Sequence, residues 1–276
     1  MNKKIYIIVR YSVVSKSIQG GWRAGSKVNY IDYKNLILNE ARLNARFNLF
    51  VNITIKSILS QKNFDYKNLK LVVLTSKDLP VSHKEKLKEL ENKYDWLFVS
   101  YLGDDCNIKD YSSFVKEDLM SLEKDSLYVT LRLDDDDALS DDFLYRVMSY
   151  MEESNKGFAL SFNEGFSAKY DTNENDFIEF YPLRVMNLAI GLGFINYYNY
   201  EEKKFFKNHV SIYDLGNHSF IDRKVPVIVD GRRPAYIRTI YEGQDTLQQS
   251  LLKQVKDKKA LDKKDVQPYF SFLNKK

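Results

Sequence analysis

The feature that most constrains the fold is an alternation of short apolar segments with longer amphipathic ones through the first half of the chain. Four apolar segments have the length of buried strands, at residues 4–9, 69–75, 96–102 and 127–133. The segment at residues 36–61 lies between the first two apolar segments. It contains no glycine or proline and predicts one long helix. Strands and helices alternating at this interval predict an α/β fold with a mostly parallel sheet, in which ligands bind beyond the carboxyl ends of the strands.

The pattern changes after about Gly157. Short strand candidates follow, separated by polar or irregular stretches, at residues 158–162, 177–181, 226–230 and 235–241. Neither a repeat nor a low-complexity linker divides the chain. We therefore predict a single domain over residues 1–250, with a ligand-binding half at 1–156 and a second half at 157–250 that elaborates the same sheet.

Composition limits the cellular setting. Of the 276 residues, 44% are hydrophobic and 29% are charged, as in an ordinary globular protein. Cys106 is the one cysteine, so an intramolecular disulfide and a cysteine-based metal cluster are both excluded. No apolar run is long enough to cross a bilayer, and Arg10 interrupts the apolar start in a way that argues against a signal peptide. These features predict a cytoplasmic protein.

The charge is concentrated at the end of the chain. The net charge is +4, and residues 251–276 contain eight lysines and three aspartates, a surplus of +5. This basic tail predicts a peripheral contact with an anionic surface such as the inner membrane. The alternative is a solvated, partly frayed terminal helix. No basic-aromatic nucleic-acid module is present, so nucleic acid is not an expected partner.

Six aspartates follow the fourth strand pattern, and they fall into two groups. Ser140 predicts an N-cap, with Asp141 and Asp142 in the first turn of the next helix, where the helix dipole favours negative charge. The row Asp134–Asp137 has no such explanation.

The spacing of the row suggests a metal. If the extended strand continues, Asp134 and Asp136 lie on one face, the face of Arg132. Two such carboxylates about 4 Å apart repel by roughly 4 kcal/mol at an effective dielectric of 20, and a divalent cation removes that repulsion. Mg²⁺ or Mn²⁺, which prefer carboxylate and phosphate oxygens, are the expected ions. The alternative is an acidic loop whose side chains point separately into water.

Four stretches resemble a known family. "RLDDDDAL" (132–139) is the most specific, and "VRYSV", "RFNLFVNITIKSILSQ" and "GNHSF" agree more loosely. Together they resemble a bacterial family of rhamnosyltransferases, within the GT-A-like glycosyltransferases that have an Asp-x-Asp motif. The resemblance implies a GT-A-like, Rossmann-type sheet and transfer of a sugar, for which the family name suggests rhamnose, from a nucleotide-diphosphate donor.

The resemblance also implies site roles. Asp134 would lie near the donor ribose or the metal, Asp136 would ligate the metal, and Asp137 would ligate or orient it. GT-A enzymes often supply a histidine ligand from the second half of the chain, which makes His218 in "GNHSF" a candidate. Donor contacts are expected from Arg10, Arg132, Asp134 and Asp135, and metal contacts from Asp134, Asp136, Asp137 and His218.

Each supporting residue has a simpler alternative. Arg10 could contact the donor phosphates or form a structural ion pair, and Arg132 could simply neutralise the row. Arg42 and Arg46, one helical turn apart, could pair with the row or face solvent. His218 could be structural or contact the acceptor, and His83, at a charged helix start, is expected to be exposed.

Sugar transfer with inversion needs a carboxylate base near the acceptor hydroxyl. Asp245, Glu164 and Asp214 are the candidates, and Asp245 is favoured because "EGQDTLQQ" could begin a helix facing the cleft. Glu242 is a fourth acid in the same stretch.

The predicted function is therefore metal-dependent transfer of a sugar to a glycan or lipid-linked glycan in bacterial surface-polysaccharide assembly. Two alternatives remain open. One is a nucleotidyl- or phosphotransferase with the same aspartate–metal site, and the other is a non-catalytic metal- or carbohydrate-binding module.

Overall fold

The computed structural model describes residues 1–17, 29–244, 252–253, 255–256 and 258–274. Within them, the largest unit is an eight-stranded sheet in the order β11-β6-β9-β4-β1-β2-β3, with β10 paired to β9. Its strands are β1 Asn2–Arg10, β2 Leu69–Ser76, β3 Leu97–Leu102, β4 Ser126–Asp134, β6 Ala159–Phe162, β9 Gly193–Asn199, β10 Lys204–Phe205 and β11 Val227–Asp230.

The centre of this sheet is parallel. β1 pairs in parallel with both β2 and β4, and β2 with β3, while β9 runs antiparallel between β4 and β6. Ile5 to Val9 are fully buried, as expected for a central strand covered on both faces. The register opposes Arg10 to Asp134, so the ends of β1 and β4 meet at one edge.

Helices cover both faces of this sheet. Within the described residues, the α-helices with defined bounds are α1 Tyr30–Ile37, α2 Glu40–Leu49, α3 Lys56–Leu59, α4 Val81–Lys93, α5 Ser113–Ser121, α6 Phe143–Tyr150 and α7 Lys263–Val266. One buried cluster contains Ile7, Val129 and Leu87 of α4, and a second, on the other side, contains Tyr6, Tyr128 and Val115 of α5. The predicted α/β class with a mostly parallel sheet flanked by helices is confirmed.

A second sheet holds part of the later half. Four strands in the order β5-β12-β7-β8 form it: β5 Ala138–Leu139, β7 Glu164–Asp171, β8 Asp176–Arg184 and β12 Tyr236–Ile240. The later half thus does not simply elaborate one sheet, because of its described strands β6, β9, β10 and β11 join the large sheet, whereas β7, β8 and β12 form the second. The patterns at 158–162, 177–181, 226–230 and 235–241 are strands as predicted, whereas β7 and β9 were not foreseen.

The end of the chain packs against this second sheet. Phe270, Phe272 and Leu273 are buried with Phe166 and Phe180, and Leu261 forms an antiparallel bridge with Phe180. The described part of the tail therefore exposes most of its lysines but buries these apolar side chains. No helix of the described residues is both long and apolar enough to span a bilayer.

Two local predictions are wrong. Residues 36–61 are not one helix: α1 ends at Ile37, and Asn39 caps α2 by accepting a hydrogen bond from the backbone N–H of Arg42. α2 then continues through a π-helical segment, Phe50–Ile55, into α3. His83 is fully buried instead of exposed, because its helix turns that face toward α2, where its Nε2 lies 3.4 Å from Glu40.

Candidate functional site

The acidic row lies where β4 leaves the sheet. The strand ends at Asp134, and the chain then turns, with the backbone N–H of Asp137 3.4 Å from the carbonyl of Asp134. The extended geometry assumed for the whole row is therefore wrong beyond Asp134. As a result, Asp134 and Asp136 do not simply share one strand face, and each aspartate of the row has its own environment.

Asp134 faces the end of β1. Its carboxylate accepts a hydrogen bond from Arg10 at 3.0 Å, and its side chain keeps 38% of its surface exposed. Burial would raise the pKa of Asp134, but the Arg10 charge, with Arg132 and Arg46 beyond it, holds that pKa below its usual value. Asp134 is thus ionised and accessible.

Arg46 of α2 binds the middle of the row. Its guanidinium pairs with both carboxylate oxygens of Asp135, with Asp136 at 3.1 Å, and with the hydroxyl of Tyr241 at 2.8 Å. The Asp135 side chain is fully buried. Of the two alternatives for Arg46, pairing with the row is the one observed, and Asp135 is turned toward α2 instead of toward a ligand as predicted.

Asp137 connects the row to the second sheet. It is buried, and its carboxylate accepts the backbone N–H of Thr239 of β12 at 2.9 Å. Its backbone carbonyl accepts the hydroxyl of Thr54. Burial, and then the charges of Asp136 and Asp134, raise the pKa of Asp137 well above its usual value. One oxygen of the Asp137 carboxylate is thus engaged by the second sheet, and the ligand role of this residue stays a prediction.

His218 lies at the same edge as Asp134. Its Nδ1 is 2.7 Å from the carbonyl of Asn187, a residue with positive φ. Burial lowers the pKa of His218. The positive charges of Arg132 and Arg10 lower this pKa further, whereas the negative charge of Asp134 raises it. A neutral ring that donates from Nδ1 presents the Nε2 lone pair, the arrangement typical of a metal-binding histidine.

The prediction that Ser140 caps the next helix is also corrected. α6 begins at Phe143 with Asp142 as its N-cap residue, and no side chain caps it. Ser140 instead donates a hydrogen bond to Asp142, and Asp141 accepts the backbone N–H of Ser271 while pairing with Lys62. Asp141 therefore fastens the end of the chain to this region.

The candidate bases differ in position. Glu164 follows β6 by two residues, at the carboxyl edge of the large sheet, and pairs with the exposed Arg184 at 3.1 Å. Asp214 is occupied: its carboxylate accepts hydrogen bonds from Ser112, Val210 and Ser211, which makes it a cap and not a base. Asp245 lies outside the described residues, and Glu242 lines a small pocket with Tyr241.

The residues fit a divalent ion only in part. Among the described residues, no group of three or more histidine, cysteine, aspartate or glutamate side chains is arranged to hold a metal. Asp134 and His218 nevertheless lie near each other at one edge and offer carboxylate oxygens and one imidazole nitrogen, while Asp136, two residues further on, is paired with Arg46. Because Mg²⁺ commonly takes one or two carboxylates together with substrate phosphates, such a partial set fits an ion that binds with a diphosphate.

Comparison with known proteins identifies the family. The family model described as "Putative rhamnosyl transferase" matches residues 4–252. The chain belongs to this family. The family prediction is therefore confirmed, although none of the curated proteins matches the sequence.

Solved structures give weaker similarities. Structures of S. aureus TarS 1–349 in complex with UDP and with UDP-GlcNAc match at TM-scores of 0.42 and 0.43, each with 12% identity, over 86% and 88% of this chain. S. aureus TarS 1–349 alone matches at a TM-score of 0.45 with 11% identity, over 98% of this chain and 70% of that one. The chain spans 60% of the first two TarS chains.

Proposed function

We propose that the protein is a glycosyltransferase that moves a sugar from a nucleotide-diphosphate sugar to a glycan acceptor. Membership of the rhamnosyl transferase family supports this, and it makes rhamnose the first sugar to test. The observation that carries the proposal is the meeting of Arg10, Arg132, Asp134 and His218 at the carboxyl edge of a parallel sheet. Ligands of α/β sheets bind at such edges.

The residues have separable tasks in this proposal. Arg10 and Arg132 bind the donor phosphates through charge-assisted hydrogen bonds. Asp134, which accepts a hydrogen bond from Arg10, would contact the donor ribose or the metal. Asp135, through its pairing with Arg46, fixes the turn that presents Asp136.

A divalent ion, Mn²⁺ or Mg²⁺, is part of the proposal. Asp134, Asp136 and His218 would hold it together with the donor diphosphate. When bound, it would act as a Lewis acid that stabilises negative charge on the departing nucleoside diphosphate. His218 is suited to this because burial lowers the pKa of its ring, which therefore stays neutral at a lower pH than an ordinary histidine.

A carboxylate base would accept the proton of the acceptor hydroxyl. Glu164, Asp245 and Glu242 are the remaining candidates, because Asp214 is held as a cap. Replacing the true base with its amide, by Glu164→Gln, Asp245→Asn or Glu242→Gln, should reduce turnover by 10²-fold or more while leaving donor binding within about twofold. A loss of donor affinity that matches the loss of turnover would contradict this assignment.

The function is tested by a thermal-stability screen of nucleotide-sugars with and without Mn²⁺. The expected result is stabilisation by one donor in the presence of the ion, and its loss in Asp136→Ala. Asp176→Ala removes an exposed acid of β8 that pairs with Lys263, and serves as the matched control. Failure of every nucleotide-sugar to stabilise the protein would refute the proposal.

We further propose that the acceptor is a glycan or lipid-linked glycan of bacterial surface-polysaccharide synthesis, and that the basic tail contacts the membrane. Because Phe270, Phe272 and Leu273 are buried, such contact would depend on the exposed lysines and not on inserted apolar side chains. Sedimentation with phosphatidylglycerol vesicles should therefore occur at low salt and disappear near 0.5 M salt, where screening is strong. Binding that persists at high salt would contradict an electrostatic contact.

A further inference from the structure

Two arginines at the site share one aromatic ring. The Cζ of Arg132 lies 4.5 Å from the ring centroid of Tyr213, and the Cζ of Arg10 lies 5.8 Å from it. Both distances are within the range of cation–π attraction. Ile8 is opposite Arg132 in the register of β1 and β4, so Arg10 lies two residues further along the neighbouring strand, on the same face of the sheet.

The segment that supplies this ring is fastened along β4. The Tyr128 hydroxyl donates to the carbonyl of Val210 at 2.9 Å, and the backbone N–H of Ile212 donates to the Thr130 hydroxyl at 2.8 Å. Tyr128, Thr130 and Arg132 are alternate residues of one strand, so the contact to Tyr213 continues a regular series.

A capping box holds the same segment from its other side. The Asp214 carboxylate accepts the backbone N–H groups of Val210 at 2.8 Å and Ser211 at 2.9 Å, and the Ser112 hydroxyl at 2.7 Å. Tyr213 is 1% exposed and packs edge-on against Tyr111. The ring is therefore fixed before any ligand arrives.

The charge of this face is unbalanced. Arg10 has Asp134 as an ion-pair partner, whereas no carboxylate of the described residues lies within ion-pair distance of Arg132. Among the described residues, Arg132 is thus held at the ring by cation–π attraction and not by an ion pair. Stacking on a ring holds a guanidinium plane while leaving its N–H edge available for a phosphate.

We propose that Tyr213 is a positioning residue that holds Arg10 and Arg132 as a paired clamp for the two phosphate groups of the donor. This inference rests on the proposed function, since it requires a nucleoside diphosphate at the site. It also assigns the capping box of Asp214 the role of fixing Tyr213, and not a role in proton transfer.

The test compares nucleoside diphosphate with nucleoside monophosphate binding by calorimetry, using uridine, thymidine, guanosine and cytidine nucleotides with the full chain in Mg²⁺. The ratio of the two affinities isolates the second phosphate. In Tyr213→Leu this ratio should fall by about tenfold, as expected for the loss of two cation–π contacts. Tyr213→Phe keeps the ring and should restore the ratio to within about twofold of wild type.

Tyr198→Leu is the matched control, because Tyr198 is equally buried in the same core cluster but pairs with Ser126 at the start of β4, at the far end of the strand from Arg132. A general packing defect would weaken both nucleotides alike and leave the ratio unchanged in every variant. If Tyr213→Leu does not fold, Arg132→Met supplies the test, and it should lower the same ratio by at least tenfold.

Two failures are distinguishable. If wild type binds none of the diphosphates, the proposed function is refuted, and this inference with it. Suppose instead that wild type binds a diphosphate more tightly than its monophosphate, but the ratio of the two affinities is unchanged in Tyr213→Leu. The clamp is then refuted and the proposed function stands. The same conclusion follows from an unchanged ratio in Arg132→Met, where that variant replaces Tyr213→Leu.

Discussion

Removing the Arg46 side chain should be among the most destabilising single changes in this protein. The Asp135 carboxylate that it pairs with is fully buried, and the Arg46 side chain itself is 12% exposed. Breaking a buried pair by deleting one partner leaves an uncompensated charge and typically costs 3–5 kcal/mol. We therefore expect Arg46→Met to lower the free energy of unfolding by about 4 kcal/mol, or the melting temperature by roughly 10 °C.

A double-mutant cycle separates this charge effect from simple loss of packing. Asp135→Asn removes the buried charge, so Arg46→Met combined with Asp135→Asn should lose about 2 kcal/mol less than Arg46→Met alone. Arg42→Met makes the same change one turn earlier in α2, where the arginine contacts the Ser12 hydroxyl and the Ile37 carbonyl. Its expected cost is about 1 kcal/mol.

The assay is urea unfolding followed by circular dichroism at pH 7.5 without ligands. Arg46→Met should shift the midpoint without a large change in the slope. A loss below about 1 kcal/mol for Arg46→Met, or no recovery in the double variant, would refute the view that Arg46 is the main counter-ion of Asp135.

Three further predictions concern the structure around the site. Burial and neighbouring carboxylates raise the pKa of Asp137, so its contribution to stability is complete below the unfolded pKa near 4 and is lost as the pH rises toward the folded pKa. Asp137→Asn keeps an amide oxygen that can accept from Thr239, and it should gain stability relative to wild type between pH 5 and 8. A difference in stability that does not change with pH would contradict this. Gly165→Ala should cost about 1–3 kcal/mol in urea unfolding, since the added Cβ would lie 2.5 Å from the Tyr236 ring; an unchanged midpoint would contradict this close packing. Phe270→Ala should cost about 3–5 kcal/mol if the end of the chain belongs to the folded domain, and a loss below about 1 kcal/mol would indicate a dispensable tail.

The parallel strands of the sheet could be predicted because each buried strand is a short run of apolar residues that the local sequence shows. The predicted strand at residues 4–9 corresponds to β1, Asn2–Arg10, and that at 69–75 to β2, Leu69–Ser76. β9 was missed because its sequence, with Gly193, Asn196 and Asn199, has polar residues where the pattern expects apolar ones. The Asn196 side chain is buried and satisfied by the Tyr128 hydroxyl and the His209 carbonyl, which are tertiary partners that no local pattern reveals.

The site was predictable in outline and not in detail. The end of a parallel strand is a local property, so Asp134 beside Arg10 and His218 follow from strand position and motif. The partners of Asp135 and Asp137 come from 89 and 102 residues away in sequence, and spacing within the row cannot indicate them. Tyr213 was missed for the same reason, since a single tyrosine after a serine cap carries no local signal for two arginines.

In the proposed function, the site cleaves the bond between a sugar and a nucleoside diphosphate. The most direct measurement is chromatographic analysis of the nucleotide products formed when the enzyme is incubated with the nucleotide-sugar that stabilises it, Mn²⁺ and a bacterial glycan extract. The account predicts nucleoside diphosphate as the sole nucleotide product, formed with wild type and lost in Asp136→Ala. Release of nucleoside monophosphate or pyrophosphate instead would contradict it and indicate nucleotidyl or phosphoryl transfer.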